Sequence, residues 1–327
     1  MSRPVSILLA LAALAPLAAV LATGGDLTPG AVMILGAPLL AVLRGRLQQL
    51  WLLALPVLSC AHLSALEPGS FGQLALFDYS LTVARVDKLS LAFGYIFSLA
   101  AVISAIYALH LRDNLQHTCG AVYVGAATGA VFAGDLLTLF VFWELTAVAS
   151  VFLVWAGGGE RAFRAGMRYL VVQIGSGVLL LSGLLVRYDA TGSLAFDHLG
   201  NPGLDNLGGT LIFLAFGIKC AFPFLHNWLQ DAYPEASVTG TVILSAFTTK
   251  LAVYSLARGF AGVEILVPIG TAMTVFPVFF AVIENDLRRV LAYSLNNQLG
   301  FMVAGVGIGT GLALNGAVSH ALSLIHI

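Results

Sequence analysis

The chain reads as a succession of apolar runs separated by short polar punctuation, and most runs are as long as a bilayer is thick. An α-helix rises 1.5 Å per residue, so about 20 apolar residues cross the ~30 Å hydrocarbon core. Such runs lie near 5–22, 30–43, 50–66, 87–109, 117–133, 135–156, 166–186, 209–234, 237–258, 263–283 and 289–310, and a last one opens at 312. The pattern predicts an all-α polytopic membrane protein with about 11–12 transmembrane helices. The two longest polar connections, Glu67 to Val86 and Arg187 to Gly208, the second rich in Gly, Asp and Asn, read as surface loops.

One run is interrupted. In GTLIFLAFGIKCAFPFLHNWLQDAYP, residues 209–234, Pro223 removes a backbone donor and collides with the preceding turn. The helix is expected to kink or break just after Lys219. Non-helical backbone at membrane depth is tolerated only where it is buried in protein or lines a wet cavity. The first run, Val5 to Ala22, resembles a signal peptide in its length and its Ala and Leu content, and LATGGDLTPG behind it holds small residues that a peptidase accepts. It is read as a retained helix.

Composition narrows the class. The chain is 59% hydrophobic and 9% charged, with a mean hydropathy of +0.95, where a soluble domain carries roughly 25% charged residues. Because the apolar runs recur throughout, a soluble enzyme with a single anchor is excluded. A net charge of −1 without a basic cluster gives no sign of nucleic acid as a partner. Cys60, Cys119 and Cys220 lack CxxC spacing and read as small core residues. The sequence carries no metal-ligand cluster, nucleophilic triad or Gly-rich phosphate loop, so no catalytic residue, metal or cofactor is expected. With a cytoplasmic amino terminus, Arg3, Arg44, Arg46, Arg112, Arg161, Arg164, Arg168, Arg288 and Arg289 fall inside and Arg85, Lys88, Arg187 and Arg258 outside, which favours that orientation.

Three charges remain at membrane depth. Glu144 sits within DLLTLFVFWELTAVASVFLVW, and Lys219 and Lys250 lie well inside their own runs. A charge at the bilayer centre costs about 3 kcal/mol on insertion scales, and such residues face a bundle interior and mark proton or ion paths. Burial disfavours the charged form of a side chain, and a nearby opposite charge restores it. A lysine beside Glu144 therefore keeps its proton and gives it up when the pair separates or Glu144 is neutralised. Arginine would stay charged throughout. His226, seven residues after Lys219, would stand two turns along an unbroken helix and could pass protons to or from the cytoplasmic side, though a structural role fits it as well. His320 could receive a proton from Lys250. Asp135 reads as a helix cap, and Asp231 and Glu235, flanking Tyr233-Pro234, as solvated loop charges.

The segments VFWELTAVAS, IKCAFPFLHNWLQDAYPEASVTGTVILSAFTTKLAVYSLAR and ENDLRRVLAYSLNNQLGFM resemble the proton-conducting membrane subunits shared by complex I and the multisubunit Mrp-type cation/proton antiporters, in order, over about residues 87–322. PEASVTGTVILSAFTTK and AVIENDLRRVLAYS look most like the D subunit of the Mrp-type antiporters. The resemblance implies that Glu144 is the essential acid, Lys219 the lysine of the broken helix, Lys250 the central relay position and His320 the histidine of a later helix. It also implies partner subunits, protons and Na+ as transported ions, and a location in the bacterial plasma (inner) membrane. Residues 1–29 then form an additional amino-terminal helix and loop, and 30–327 an antiporter-like proton-conducting domain. The family's second inverted repeat is incomplete, lacking its broken helix, and Leu324 stands where the family has a lysine, so the chain is expected to be terminated early, with Ser323 to Ile327 not native. The expected function is that of a Mrp-type antiporter component, a transporter part rather than an enzyme. The alternatives are a proton-pumping subunit of a complex I-type NADH-quinone oxidoreductase or membrane-bound hydrogenase, and a non-transporting structural subunit or fragment.

Overall fold

A computed structural model describes residues 27–76 and 79–323. The helix expected over 5–22 lies outside the described residues. Among the described residues, twelve α-helices and one hairpin follow in order: α1 Pro29–Val42, α2 Arg46–Ala65, β1 Gly69–Leu76, β2 Tyr79–Val86, α3 Lys88–Tyr107, α4 Asn114–Phe132, α5 Leu136–Trp155, α6 Gly159–Thr191, α7 Leu207–Lys219, α8 Asn227–Glu235, α9 Val238–Gly259, α10 Leu266–Ile283, α11 Leu287–Ile308 and α12 Gly311–Ser323. Among the described residues six helices, α2, α3 with the short 3-10 turn behind it, α5, α6, α9 and α10, are long and apolar enough to cross a membrane, and α1 and α7 are shorter apolar helices. Val171 and Val178 on α6 and Val282 and Ile283 on α10 are exposed, an outer surface suited to lipid. The chain divides after Leu153 into two compact units.

In the first unit α1 packs on α4 where Gly30 meets Gly125 and Gly129, a crossing that leaves no room for a Cβ. Ser59 of α2 donates to the Pro29 carbonyl at 2.9 Å, which fixes the start of α1 against α2. The connection 67–86, expected to be a surface loop, is instead an antiparallel hairpin running from the Gly69–Val86 pair to the Leu76–Tyr79 pair. On its second strand, YSLTVARV, Leu81, Ala84 and Val86 are buried. The Thr82 amide donates to Asp135 Oδ2 at 2.7 Å and the Gly134 amide donates to the Thr82 carbonyl at 3.1 Å, so the hairpin is tied to the start of α5.

In the second unit α6 runs past both ends of the expected 166–186. The Glu160–Arg164 pair at 2.7 Å supports its first turns, and Gly192, with φ 65°, ends it. The connection after it is not simply a surface loop, because Phe196 is fully buried and the Leu199 amide donates to the Gly259 carbonyl at 2.8 Å. α7 packs along α6. The helix containing Pro223 breaks: α7 stops at Lys219, the chain passes Ala221 and Phe224 at φ 60° and 66°, and α8 starts at Asn227. Charges gather at one end of this unit. Arg168 pairs with Asp231 at 3.1 Å, Arg161 with Glu235 at 3.1 Å and Arg289 with Glu284 at 3.8 Å, and Arg288 donates to the Ala236 carbonyl at 2.6 Å.

Candidate functional site

The unwound turn is built around Lys219. Its released carbonyls are partly reclaimed: Trp228 Nε1 donates to the Ile218 carbonyl at 2.9 Å, and the Phe222 amide donates to the Gly217 carbonyl at 2.9 Å. Gly217 is required here, because a Cβ on it would run into the Phe222 ring. Lys219 is 1% exposed, and at ~1.5 Å per residue it lies about 18 Å along α7 from its first residue, near mid-membrane depth. Phe213, Phe222 and Phe260 pack edge to face beside it, with centroids 5.6 and 5.1 Å apart.

Lys250 is 2% exposed and also lies about 18 Å along its helix, counted from the opposite, charged end of the unit. Its Nζ donates to the Ser245 carbonyl at 2.8 Å. His320 Nε2 is 2.7 Å from Gln298 Oε1, and its ring meets Phe301 edge to face at 5.9 Å. Lys219 at the end of α7, Lys250 within α9 and His320 near the end of α12 all belong to the second unit.

His226 does not stand two turns along a continuous helix, since the break intervenes; it is the residue that opens α8. It lines a cavity of ≈ 250 Å³ with Asn227, Gln230, Asp231, Arg289 and Tyr293. Asp231 and Glu235 are helical rather than loop residues, because Tyr233 and Pro234 belong to α8, and both carboxylates are held by arginines of α6. In the first unit Glu144 is half-buried on α5, about 12 Å from the helix start, beside fully buried Trp143. Thr146 and Ser150 donate to the carbonyls of Trp143 and Ala147 on the same helix. Asp135 caps α5 as expected, accepting from the Thr138 amide at 2.7 Å, and also accepts from Thr82 in the hairpin. The apolar pattern did not single out Gln173 and Gln230, two buried amides in the second unit. Their signal was the presence of glutamine inside or beside an apolar run.

The membrane family described as NADH:quinone oxidoreductase/Mrp antiporter matches residues 133–327. The D subunit of an Na(+)/H(+) antiporter from Alkalihalophilus pseudofirmus is 30% identical over 216 residues, 60% of this chain and 43% of the relative. The N subunit of the NADH-quinone oxidoreductase from Desulforudis audaxviator is 32% identical over 251 residues, 69% of this chain and 50% of the relative. The chain therefore spans about half the length of the curated relatives it matches. Among solved structures, the Mrp complex from a Dietzia species aligns with a TM-score of 0.82 at 26% identity, covering 90% of this chain and 35% of the other. An archaeal membrane-bound sulfane sulfur reductase aligns at 0.80 and 23% identity over 91% of this chain and 67% of the other, a likeness of fold alone.

Proposed function

Because the chain belongs to the NADH:quinone oxidoreductase/Mrp antiporter membrane family, we propose that it is a membrane subunit of a multisubunit Na+/proton antiporter. In this reading protons pass along Lys219, Lys250 and His320, with His226 at the mouth of the path and the Glu144 charge controlling when the lysines release them. The observation that carries the reading is two buried lysines at mid-membrane depth, Lys219 at the end of a broken helix and Lys250 with its amine on the Ser245 carbonyl. Lysine suits a relay because its protonation responds to its surroundings. The match to the D subunit of an antiporter supports sodium as the exchanged cation.

A second reading is favoured by the longer match to the N subunit of an NADH-quinone oxidoreductase, in which redox chemistry in other chains would drive the same protons. One experiment separates them: proton movement in everted vesicles carrying the complete native complex, with Glu144 and with Glu144→Gln assembled to equal levels. Sodium-driven proton movement that falls by at least about tenfold in the variant supports the antiporter and the role of Glu144, since each ~1.4 kcal/mol on a barrier is a factor of ten. Equal rates remove Glu144 from the path. Proton movement driven by NADH and not by sodium favours the second reading, and none under either drive favours a structural role.

A further inference from the structure

Four buried amide atoms in the second unit have no hydrogen-bond partner among the described residues: both side-chain polar atoms of Gln173 and both of Gln230. Gln173 is fully buried and Gln230 is 8% exposed. A buried polar group left unpaired is costly, lipid supplies no partner, and ordered internal water is the usual one.

Their positions relate both residues to the broken helix. On α6, Tyr169, Gln173 and Ser176 share one face, four and three residues apart. The Tyr169 ring packs on Trp228 of α8, with centroids 5.5 Å apart, while Ser176 donates to the Ala215 carbonyl of α7 at 2.8 Å. Gln173 is thus held between contacts to the two halves of the broken helix, level with the unwound turn. Gln230 lines the ≈ 250 Å³ cavity around the start of α8, where His226 Nδ1 is another buried atom without a partner among the described residues. That volume holds several waters.

We propose that Gln173 and Gln230 are water-binding positioning residues, which hold ordered waters from the His226 cavity to the turn beside Lys219. The inference rests on the reading of the chain as a proton carrier. Glutamine both donates and accepts, so it holds a water in either orientation. Proton hopping needs this, because each transfer reverses the direction of the hydrogen bonds behind it. Leucine has a similar size and offers neither bond.

The test uses the complete complex in everted vesicles. Gln173→Leu and Gln230→Leu are expected to slow proton movement by about tenfold or more at equal assembly, and Gln173→Asn and Gln230→Asn to restore most of it. Separately, with Cys60, Cys119 and Cys220 replaced, Gln173→Cys and Gln230→Cys are expected to react with a small water-soluble methanethiosulfonate. Leucine variants as fast as the native protein, asparagine variants as slow as leucine, or thiols that do not react at either position would overturn the proposal. If the native complex moves no protons, the functional reading fails, and the thiol reaction alone still decides whether water reaches these residues. It also decides the matter if the leucine variants do not assemble.

Discussion

Lys250 separates a relay from a structural charge. Its Nζ donates to one carbonyl, that of Ser245, inside a helix whose residues around it are almost all buried. Arginine would fit the need for charge and hydrogen bonding, but it stays protonated under all ordinary conditions. Lys250→Arg is therefore expected to assemble and to lower proton movement by about tenfold or more, read as the initial rate in everted vesicles against the amount of assembled complex. Retained activity would make Lys250 a fixed charge. The burial of Lys219 and Lys250 was legible in the sequence, because an ionisable residue in the middle of a long apolar run has few other places to go. Gln173 and Gln230 were not legible in the same way. Glutamine carries no formal charge to betray it, and Gln230 lies in the polar-looking segment HNWLQDAYPE, whose burial depends on packing across α6 and α11 rather than on local pattern.

At the scale of elements, the length of apolar runs located the described helices to within a few residues, except α6, which continues for a turn or more beyond its apolar stretch at each end. The hairpin 69–86 was missed because its glycines and polar residues dominate the first strand. The signal lay in the β-branched and apolar residues of the second, YSLTVARV. Its tie to Asp135 joins distant parts of the chain, which no local reading can supply. Small residues at helix crossings also become meaningful only once partners are known. A Cβ on Gly300 would lie 2.5 Å from the Thr274 amide and 2.6 Å from the Gly270 carbonyl, so α10 and α11 touch there backbone to backbone. Gly300→Ala is expected to force the helices apart at a cost of about 1–3 kcal/mol, seen as a lower unfolding midpoint of the purified protein in detergent. Gly175→Ala on α6 meets nothing within 4 Å, and is expected to leave the midpoint within error or raise it slightly.

At the scale of the molecule, the second unit carries a direction. Arg161, Arg164 and Arg168 begin α6, Arg288 and Arg289 begin α11, and Arg288 reaches the start of α9 through the Ala236 carbonyl and Thr241 Oγ1. At the far end stand Arg187, near the finish of α6, and Arg258, whose Nε donates to Tyr254 near the finish of α9. By the positive-inside rule the arginine-rich end is expected to face the cytoplasm. The cavity at His226 lies at that end, with Asp231 and Arg289 on its wall. The expected consequence concerns access: an impermeant thiol reagent should label Leu204→Cys, an exposed position in the connection between α6 and α7, in intact cells. It should label Asn285→Cys, between α10 and α11, only in everted vesicles. The same measurement fixes which face of the membrane the His226 cavity opens to. If the labelling is reversed, the His226 cavity opens outward, and the path proposed here would load Lys219 from the opposite side of the membrane.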